Sequence, residues 1–275
     1  DPAFCLALVG GIRQGASLPG GQGSFRFAPT AVFSEILPQG PEAASRLRVE
    51  QSNTSIVYDG RAILKLFRKL EPGPNPDFEI TDFLTRQGSF RGIPRLAGSI
   101  SYEAGSGEST TLAVLQEFMP NQGDAWTVTL ARLADYYAAA QETTEGEDRG
   151  GGAFARTLAD ADAEEARRLG ALAGELHMAL GSATEPALSP EPVTPTDIAI
   201  WRGAMQTYLD RAMHTLASAQ ENLPSAVRDL ARQSFESAPG FHEFQAALEL
   251  LGEESVSKIR IHGDYHLGQV LKVGD

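Results

Sequence analysis

The feature that most constrains the fold of this 275-residue chain is a hairpin pattern near position 60. Two runs rich in apolar and β-branched residues, at 55–58 and 61–67, are separated by Asp59-Gly60. An Asp-Gly pair accepts the positive φ angles of a two-residue turn, so the pattern predicts two antiparallel strands. The second strand carries Lys65 in its middle, on the same face as Ile63 and Phe67.

A capped helix is predicted directly after this hairpin. Asn75 can cap it with Pro76 at the first helical position, and it ends near Arg86. A strand-like run at 111–118 then leads into a loop at 119–124, and helical patterns follow at 126–142, 160–180, 196–219, 225–236 and 241–251. Strands first and helices second predict an α+β fold.

The two ends of the chain are predicted to be β-structured. Strands are expected at Phe4–Val9 and Ser24–Phe27, on either side of a glycine-rich loop. Val270–Val273, followed by Gly274-Asp275, has the pattern of one half of a hairpin, which leaves this run without a partner strand. We therefore expect a β-rich N-terminal cap at 1–49, an N-lobe at 50–119, and a helical C-lobe at 120–275 that is truncated at its C-terminus.

Composition and charge exclude several classes of partner. The net charge of −13 disfavours nucleic acid and anionic membrane surfaces, because both are bound by basic faces. No apolar run approaches the roughly 20 residues of a membrane span, and no signal peptide is visible. A single cysteine, Cys5, rules out a disulfide within the chain. These features predict a cytoplasmic protein that binds small molecules.

The segment 260–274 carries the strongest chemical signal. Asp264 follows His262-Gly263 and is itself followed, five positions later, by the amide of Gln269. Kinases use this spacing for an aspartate that accepts the substrate hydroxyl proton and an amide that holds magnesium. The pattern predicts Asp264 as catalytic base and Gln269 as a magnesium ligand.

His262 and His266 stand four positions apart around Asp264. Such a pair binds zinc when it lies on a helix, but the neighbouring glycines disfavour a helix here and no third ligand is nearby. We expect His262 to hold the loop by hydrogen bonds.

Lys65 and Glu79 form the second candidate pair. A strand lysine that pairs with a helix glutamate positions nucleotide phosphates in kinases. The alternatives are that Lys65 extends to solvent at a sheet edge, and that Glu79 is an exposed charge favoured near a helix N-terminus.

Two further segments are candidates for nucleotide binding. The polar loop before the hairpin could cradle phosphates with hydroxyls, an amide and backbone N–H groups, or it is an ordinary polar turn. The backbone at Glu117 and Met119 could meet the adenine at a hinge between lobes. The candidate loop residues are Ser52, Asn53, Thr54 and Ser55.

Several of these segments together resemble maltokinase, a member of the aminoglycoside-phosphotransferase-like small-molecule kinases. The similar segments are Gln51-Ser52-Asn53-Thr54-Ser55, 64–73, Asn75-Pro76-Asp77, Gln116-Glu117-Phe118, 120–124 and the loop His-Gly-Asp-Tyr-His-Leu-Gly-Gln at 262–269. The resemblance implies a bilobal protein-kinase-like fold and the roles given above for Lys65, Glu79, Asp264 and Gln269.

The resemblance also implies ATP and Mg²⁺ as cofactors and maltose as the substrate. The product would be maltose 1-phosphate, which feeds α-glucan synthesis from trehalose, with a trehalose synthase as a possible partner or fusion. Members of the family carry a further magnesium-binding aspartate downstream of the His-Gly-Asp loop. Because this chain ends before it, we expect the chain alone to be poorly active or inactive.

Two alternatives remain open at this point. The chain could phosphorylate another hydroxylated small molecule, such as an aminoglycoside, and its negative charge would suit a cationic acceptor. It could instead be a non-catalytic nucleotide-binding or interaction module, which would bind ATP weakly without turnover.

Overall fold

An antiparallel sheet of seven strands dominates the computed structural model of the chain, in the order β1-β2-β6-β7-β5-β4-β3. The structure describes residues 1–47, 53–142, 152–220, 223–237, 240–253 and 256–274. The strands are β1 (Ser17–Gly20), β2 (Gly23–Pro29), β3 (Ala44–Arg46), β4 (Asn53–Tyr58), β5 (Ala62–Phe67), β6 (Leu96–Ala104) and β7 (Ser109–Glu117). With its helices, this sheet makes the chain a mixed α and β protein.

The chain folds as two compact units. Residues 1–179 together with 262–275 form unit 1, and residues 180–261 form unit 2. The sheet of unit 1 takes strands from both sides of position 49, because β2 pairs with β6 over its whole length. The predicted boundaries at 49/50 and 119/120 stay predictions.

The hairpin predicted near position 60 is confirmed. β4 and β5 pair in an antiparallel register that places Ser55 opposite Lys65. Asp59 has φ 52° and Gly60 has φ 64°, as a two-residue turn with two positive φ angles requires. β5 pairs on its other side with β7, so Lys65 stands in an interior strand of the sheet.

The predicted strand at Phe4–Val9 is wrong, because these residues belong to helix α1 (Pro2–Gln14). Asp1 caps this helix by accepting hydrogen bonds from the N–H groups of residues 3 and 4, and Pro2 occupies its first turn. Val9 and Ile12 are fully buried on one face. A short apolar run does not distinguish strand from helix by periodicity, whereas the Asp-Pro cap does.

Helix α1 lies very close to the sheet at Gly98 in β6. A Cβ on Gly98 would stand 2.5 Å from Cγ2 of Ile12 and 2.8 Å from the carbonyl oxygen of Ala28. Real Cβ atoms are not found at such distances, so residue 98 has to be glycine for α1 to pack at this depth.

We expect Gly98→Ala to lower the free energy of unfolding by about 1–3 kcal/mol, the usual cost of overpacking a core. Gly10→Ala in α1 is the matched control, because a Cβ there meets nothing within 4 Å. Alanine is also the better helix former, so the control should be neutral or stabilising. Urea denaturation of both variants measures the difference, and equal midpoints would contradict the close approach.

Helix α3 (Pro76–Gln87) is the capped helix predicted from the sequence. The side chain of Asn75 accepts a hydrogen bond from the N–H of Asp77 at 2.9 Å, and Pro76 stands at the first helical position. The helix ends at Gly88, which has φ 67°. The pattern therefore located this helix to within a residue at its C-terminal end.

The helices after position 125 follow the predicted order with two differences, whereas the short helix α2 was not predicted. The predicted helix at 160–180 begins earlier, at Gly152, and the one at 241–251 is broken into two. The bounds are α2 (Val32–Ile36), α4 (Ala125–Glu142), α5 (Gly152–Gly181), α6 (Pro195–Ala219), α7 (Ser225–Ser237), α8 (Gly240–Ala247) and α9 (Leu250–Glu253). In the described parts of the chain, no helix has the length and apolarity that crossing a membrane requires.

In unit 2, the start of α6 is stabilised by a capping box and an ion pair. Thr194 and Asp197 form a capping box, and the ammonium of Lys258 lies 2.8 Å from the Asp197 carboxylate. The hydrogen bond from Lys258 is the largest cause that lowers the pKa of Asp197 to about 2, and the hydrogen bonds from Thr194 are the next largest. Lys258 belongs to β9 (Ser257–Lys258), which pairs with β8 (Glu191–Pro192).

Candidate active site

The loop that carries Asp264 belongs to unit 1, and its last part is hydrogen-bonded to the segment that leads into α4. The N–H of Ala125 donates to the carbonyl of Val270 at 2.8 Å. Gly123 accepts from the N–H of Lys272 at 3.0 Å, and Gln122 donates to the carbonyl of Lys272 at 2.9 Å. These bonds join positions far apart in sequence and fix the loop on the sheet-bearing unit.

The expectation that Val270–Val273 lacks a partner strand is therefore wrong. Its partner is the segment 122–125, and Leu271 forms an antiparallel bridge with Asp124. Sequence patterns gave no sign of this pairing, because 122–125 reads as a polar loop. Asp124 also caps α4 by accepting a hydrogen bond from the N–H of Thr127 at 2.7 Å, and this bond lowers the pKa of Asp124.

Asp264 presents its carboxylate to solvent from a well-anchored loop. Its side chain is 77% exposed. Its N–H donates to Nδ1 of His262 at 3.3 Å, which agrees with the predicted role of His262 in holding the loop. The ring of Tyr265 packs edge-on against His262, and its hydroxyl donates to the carbonyl of Leu169 in α5 at 3.3 Å.

His266 lies between Asp264 and the second half of the loop. Its Nδ1 accepts a hydrogen bond from the N–H of Gly268 at 3.1 Å and so caps the 3₁₀ turn Leu267–Gln269. Its Nε2 lies 3.7 Å from Oδ2 of Asp264. The turn carries Gln269, whose side chain is exposed beside the same loop.

Lys65 is a half-buried cation on the sheet. It stands opposite Val114 of β7 and Ser55 of β4. Burial lowers the pKa of Lys65 below its ordinary value, and the negative charge of Asp77 partly opposes this shift. The protein thus holds an ammonium where solvent stabilises it poorly.

Asp77 and Glu79 both lie in the first turn of α3. Sequence reasoning selected Glu79 as the partner of Lys65, and Asp77 is a carboxylate whose negative charge acts on Lys65. The spacing signal missed Asp77 as a neighbour of this lysine, although Asn75-Pro76-Asp77 stood out as a motif. The pairing of Lys65 with Glu79 stays a prediction.

The predicted phosphate loop is described only in part. Ser52 and the preceding Gln51 lie outside the described residues. Asn53 and Thr54 begin β4 and are half-buried, and Ser55 is buried with 4% of its surface exposed. Because Ser55 pairs with Lys65 across the hairpin, the described end of the loop lies beside the candidate lysine.

The predicted hinge at Glu117 and Met119 is held by Arg95. The guanidinium of Arg95 donates to both carboxylate oxygens of Glu117, at 2.9 and 3.3 Å, and to Glu35 at 2.6 Å. The N–H of Glu117 donates to the carbonyl of Arg95, and the carbonyl of Met119 accepts from the side chain of Asn121. The Glu117 carboxylate, the Glu117 N–H and the Met119 carbonyl thus all have partners within the protein, and the role of this hinge in binding adenine stays a prediction.

Gln116 is a buried polar residue that the sequence did not single out as a side chain. Only 4% of its surface is exposed, and its Nε2 lies 3.4 Å from Oγ1 of Thr81 in α3. Its Oε1 has no hydrogen-bond partner in the described parts of the chain. Gln116 stands opposite Ile63, so it shares a sheet face with Lys65.

We expect Gln116→Met to raise the free energy of unfolding by about 1 kcal/mol, because an unsatisfied buried acceptor costs about 1–3 kcal/mol and methionine has a similar shape. Thermal and urea unfolding test this. Gln122→Met is the control, since its side chain donates to the carbonyl of Gly274 at 3.0 Å and its replacement should not stabilise. Destabilisation by Gln116→Met would mean that the amide has a stabilising partner.

The candidate residues that the structure describes all lie in unit 1. Asp264 and Gln269 share one loop, and Ser55 and Lys65 share one hairpin. In the described ranges no three histidine, cysteine, aspartate or glutamate side chains gather as a metal-binding group.

Comparison with known proteins points to kinases that act on sugars. A glucosamine kinase from Mycolicibacterium smegmatis is 27% identical over 229 residues, which are 83% of this chain and 48% of that protein. A glucosamine kinase from Streptacidiphilus jiangxiensis is 26% identical over 228 residues, or 82% of this chain and 44% of that protein. No family model matches the chain.

Solved structures of glucosamine kinase are similar to almost the whole chain. One, in complex with glucosamine, ADP and inorganic phosphate, has a TM-score of 0.64 at 22% identity and covers 99% of this chain and 55% of that one. A second crystal form has a TM-score of 0.65 at 20% identity, with coverage of 99% and 53%. The chain shares its fold with these sugar kinases.

The chain spans about half the length of the curated relatives that it matches. The relatives support kinship with small-molecule sugar kinases in general. The narrower resemblance to maltokinase stays an expectation that rests on the motifs.

Proposed function

We propose that this chain contains the nucleotide-binding and catalytic-loop part of an ATP-dependent sugar kinase. The observation that carries the proposal is the exposed Asp264 carboxylate on a loop anchored to the unit that holds the half-buried Lys65. Similarity to glucosamine kinases along more than four-fifths of the chain supports it. The two-lobed arrangement of kinases is part of the same proposal.

Asp264 acts as the general base. It accepts the proton of a sugar hydroxyl while the hydroxyl oxygen forms a bond to the γ-phosphorus of ATP, and the bond from that phosphorus to the bridging oxygen of ADP breaks. Its exposure lets a sugar approach, and the hydrogen bonds of the loop to α4 and α5 keep it in place. Phosphoryl transfer depends mainly on positioning and charge stabilisation, so an anchored carboxylate is what the reaction requires.

Lys65 binds the nucleotide phosphates. Its ammonium is partly removed from water, with Asp77 as the acidic neighbour that acts on it. Phosphate oxygens would supply the negative charge that this half-buried cation lacks. Ser55, and Asn53 and Thr54 at the start of the same strand, extend this site toward the loop before β4.

The residues present fit a magnesium ion that binds together with the nucleotide. Magnesium takes oxygen ligands and commonly combines one or two protein oxygens with substrate phosphates and water. Gln269 offers such an oxygen from the loop that carries Asp264. When bound, the ion would neutralise charge that develops on the transferred phosphoryl group.

Glucosamine is the first candidate acceptor, because both curated relatives are glucosamine kinases. It is also a cationic sugar, which suits a chain with a net charge of −13. Maltose is the second candidate, and the motifs at 51–55, 64–73 and 262–269 favour it. With maltose as acceptor, a trehalose synthase would be the expected partner.

The test is phosphorylation of glucosamine, maltose and one aminoglycoside with ATP and magnesium, by the protein expressed from its full reading frame. Mass spectrometry of the products identifies the acceptor. We expect turnover of glucosamine to exceed that of the other two. Preferred turnover of maltose would establish the second candidate, and ATP binding without turnover of any acceptor would contradict the proposal.

A further inference from the structure

The ring of His266 is oriented by two contacts that point in opposite directions. Nδ1 accepts from the N–H of Gly268, and Nε2 is turned toward Oδ2 of Asp264. A backbone N–H can only donate, so Nδ1 must carry the lone pair. The neutral ring therefore has its proton on Nε2, on the side of the carboxylate.

Gly268 makes this orientation possible. A Cβ at position 268 would stand 2.8 Å from Cε1 and 3.1 Å from Nδ1 of His266. The ring thus lies directly against the backbone of the turn, in space that any larger residue would occupy. The ring of His266 is therefore packed on the 3₁₀ turn, and the same turn carries Gln269.

We propose that His266 is a positioning residue for the catalytic base, and that its Nε2–H orients the Asp264 carboxylate toward the acceptor hydroxyl. The proposal rests on the kinase function proposed above. The 3.7 Å separation exceeds a hydrogen bond, but catalytic contacts of this kind commonly shorten when substrate binds. Asp264 is otherwise a largely exposed side chain, and a donor on one oxygen would leave the other for the incoming proton.

The competing explanation is that His266 only caps the 3₁₀ turn. His266→Ser separates the two roles, because a serine hydroxyl is a good cap for the Gly268 N–H but has no donor that reaches Asp264. His266→Ala removes both the cap and the donor. Gly268→Ala keeps the histidine but displaces its ring.

For the full-length protein, we expect His266→Ser and His266→Ala to lower kcat by about 10- to 100-fold, the range for losing one hydrogen bond to a charged group. The KM values for ATP and sugar should stay within about twofold, and the Tm of the serine variant should stay near that of the wild type. Gly268→Ala should lower kcat similarly. If His266→Ser kept the wild-type kcat and only His266→Ala lost activity, the proposal would be overturned, and capping the 3₁₀ turn would be the sole role of His266.

A second readout does not depend on activity. Long-range ¹H–¹⁵N spectra report which ring nitrogen of a neutral histidine carries the proton, and the signal missing from His266→Ser assigns the residue. We expect the Nε2–H form, and an Nδ1–H form would overturn the proposal. If the wild-type protein phosphorylates no sugar, the proposed function fails separately. The spectra then still report whether the ring presents an Nε2–H to Asp264, while the kinetics of His266→Ser are what separate the positioning role from the cap.

Discussion

Asp264→Asn is expected to lower kcat for sugar phosphorylation by about 10²- to 10⁴-fold, the usual contribution of a general base. Asparagine keeps the size of the side chain and its place on the anchored loop, but it cannot accept the hydroxyl proton. ATP affinity should change little, because the phosphates are assigned to Lys65 and the loop before β4. Steady-state kinetics and calorimetric titration with an ATP analogue measure the two effects.

Asp229→Asn provides the matched control for this experiment. Asp229 is 79% exposed on α7, where it lies 3.3 Å from Arg232 of the same helix. The substitution removes the same charge from a comparably exposed position, so it should leave kcat unchanged. Near-normal turnover by Asp264→Asn would remove Asp264 from the chemistry, and an equal loss in both variants would indicate an effect of overall charge.

Lys65→Met is expected to weaken ATP binding by about 10- to 100-fold without lowering stability. The affinity loss corresponds to charge-assisted contacts with phosphate, each worth about 1.5–3 kcal/mol. Stability should hold or rise, because burial already lowers the pKa of Lys65 and methionine has no charge to desolvate. Calorimetric titration and the Tm measure the two effects on the same sample.

Lys69→Met tests whether any nearby lysine would give the same result. Lys69 is 87% exposed and pairs with Glu71 at 2.6 Å, four positions from Lys65 along the chain. We expect its replacement to leave ATP affinity within about twofold. A Lys65→Met variant that binds ATP normally, or that unfolds at a clearly lower temperature, would mean that Lys65 is a structural residue.

The lowered pKa of Lys65 gives this prediction a pH signature. Between its folded and unfolded pKa values, the unfolded chain holds one proton more than the folded chain. The contribution of Lys65 to stability therefore increases with pH across that window. ATP binding should weaken as the pH rises through the folded-state pKa, because the ammonium is lost, and Lys65→Met should abolish both trends.

The parts of the fold that local chemistry specifies could be predicted from the sequence. The hairpin at Asp59-Gly60 and the start of α3 at Asn75-Pro76 each depend on a backbone preference that two adjacent residues reveal. The helices after position 125 follow from apolar periodicity over long stretches. The wrong strand at Phe4–Val9, which is part of α1, came from weighing apolar content above the cap formed by Asp1 and Pro2.

Only those residues of the candidate site that belong to a sequence motif could be predicted. Spacing selects Asp264 and Gln269 as candidates, and their roles stay predictions. The orientation of His266 depends on a ring that lies against Gly268, and no sequence pattern indicates such a contact. Asp77 and Gln116 become visible only once α3 lies against the sheet. The pairing of 270–272 with 122–125 is likewise a long-range contact without a sequence signature.

That long-range pairing has a consequence for how the protein is made. The side chain of Gln122 donates to the carbonyl of Gly274 across 152 positions of sequence, and all seven strands of the sheet precede this contact along the chain. Closing a contact between positions so far apart costs more chain entropy than forming a hairpin or a helix, so we expect this contact to form after them. During synthesis, the sheet and Lys65 would leave the ribosome well before Asp264 can be anchored. On the function proposed above, a growing chain would hold the lysine assigned to the nucleotide phosphates before its candidate base, Asp264, is fixed in place.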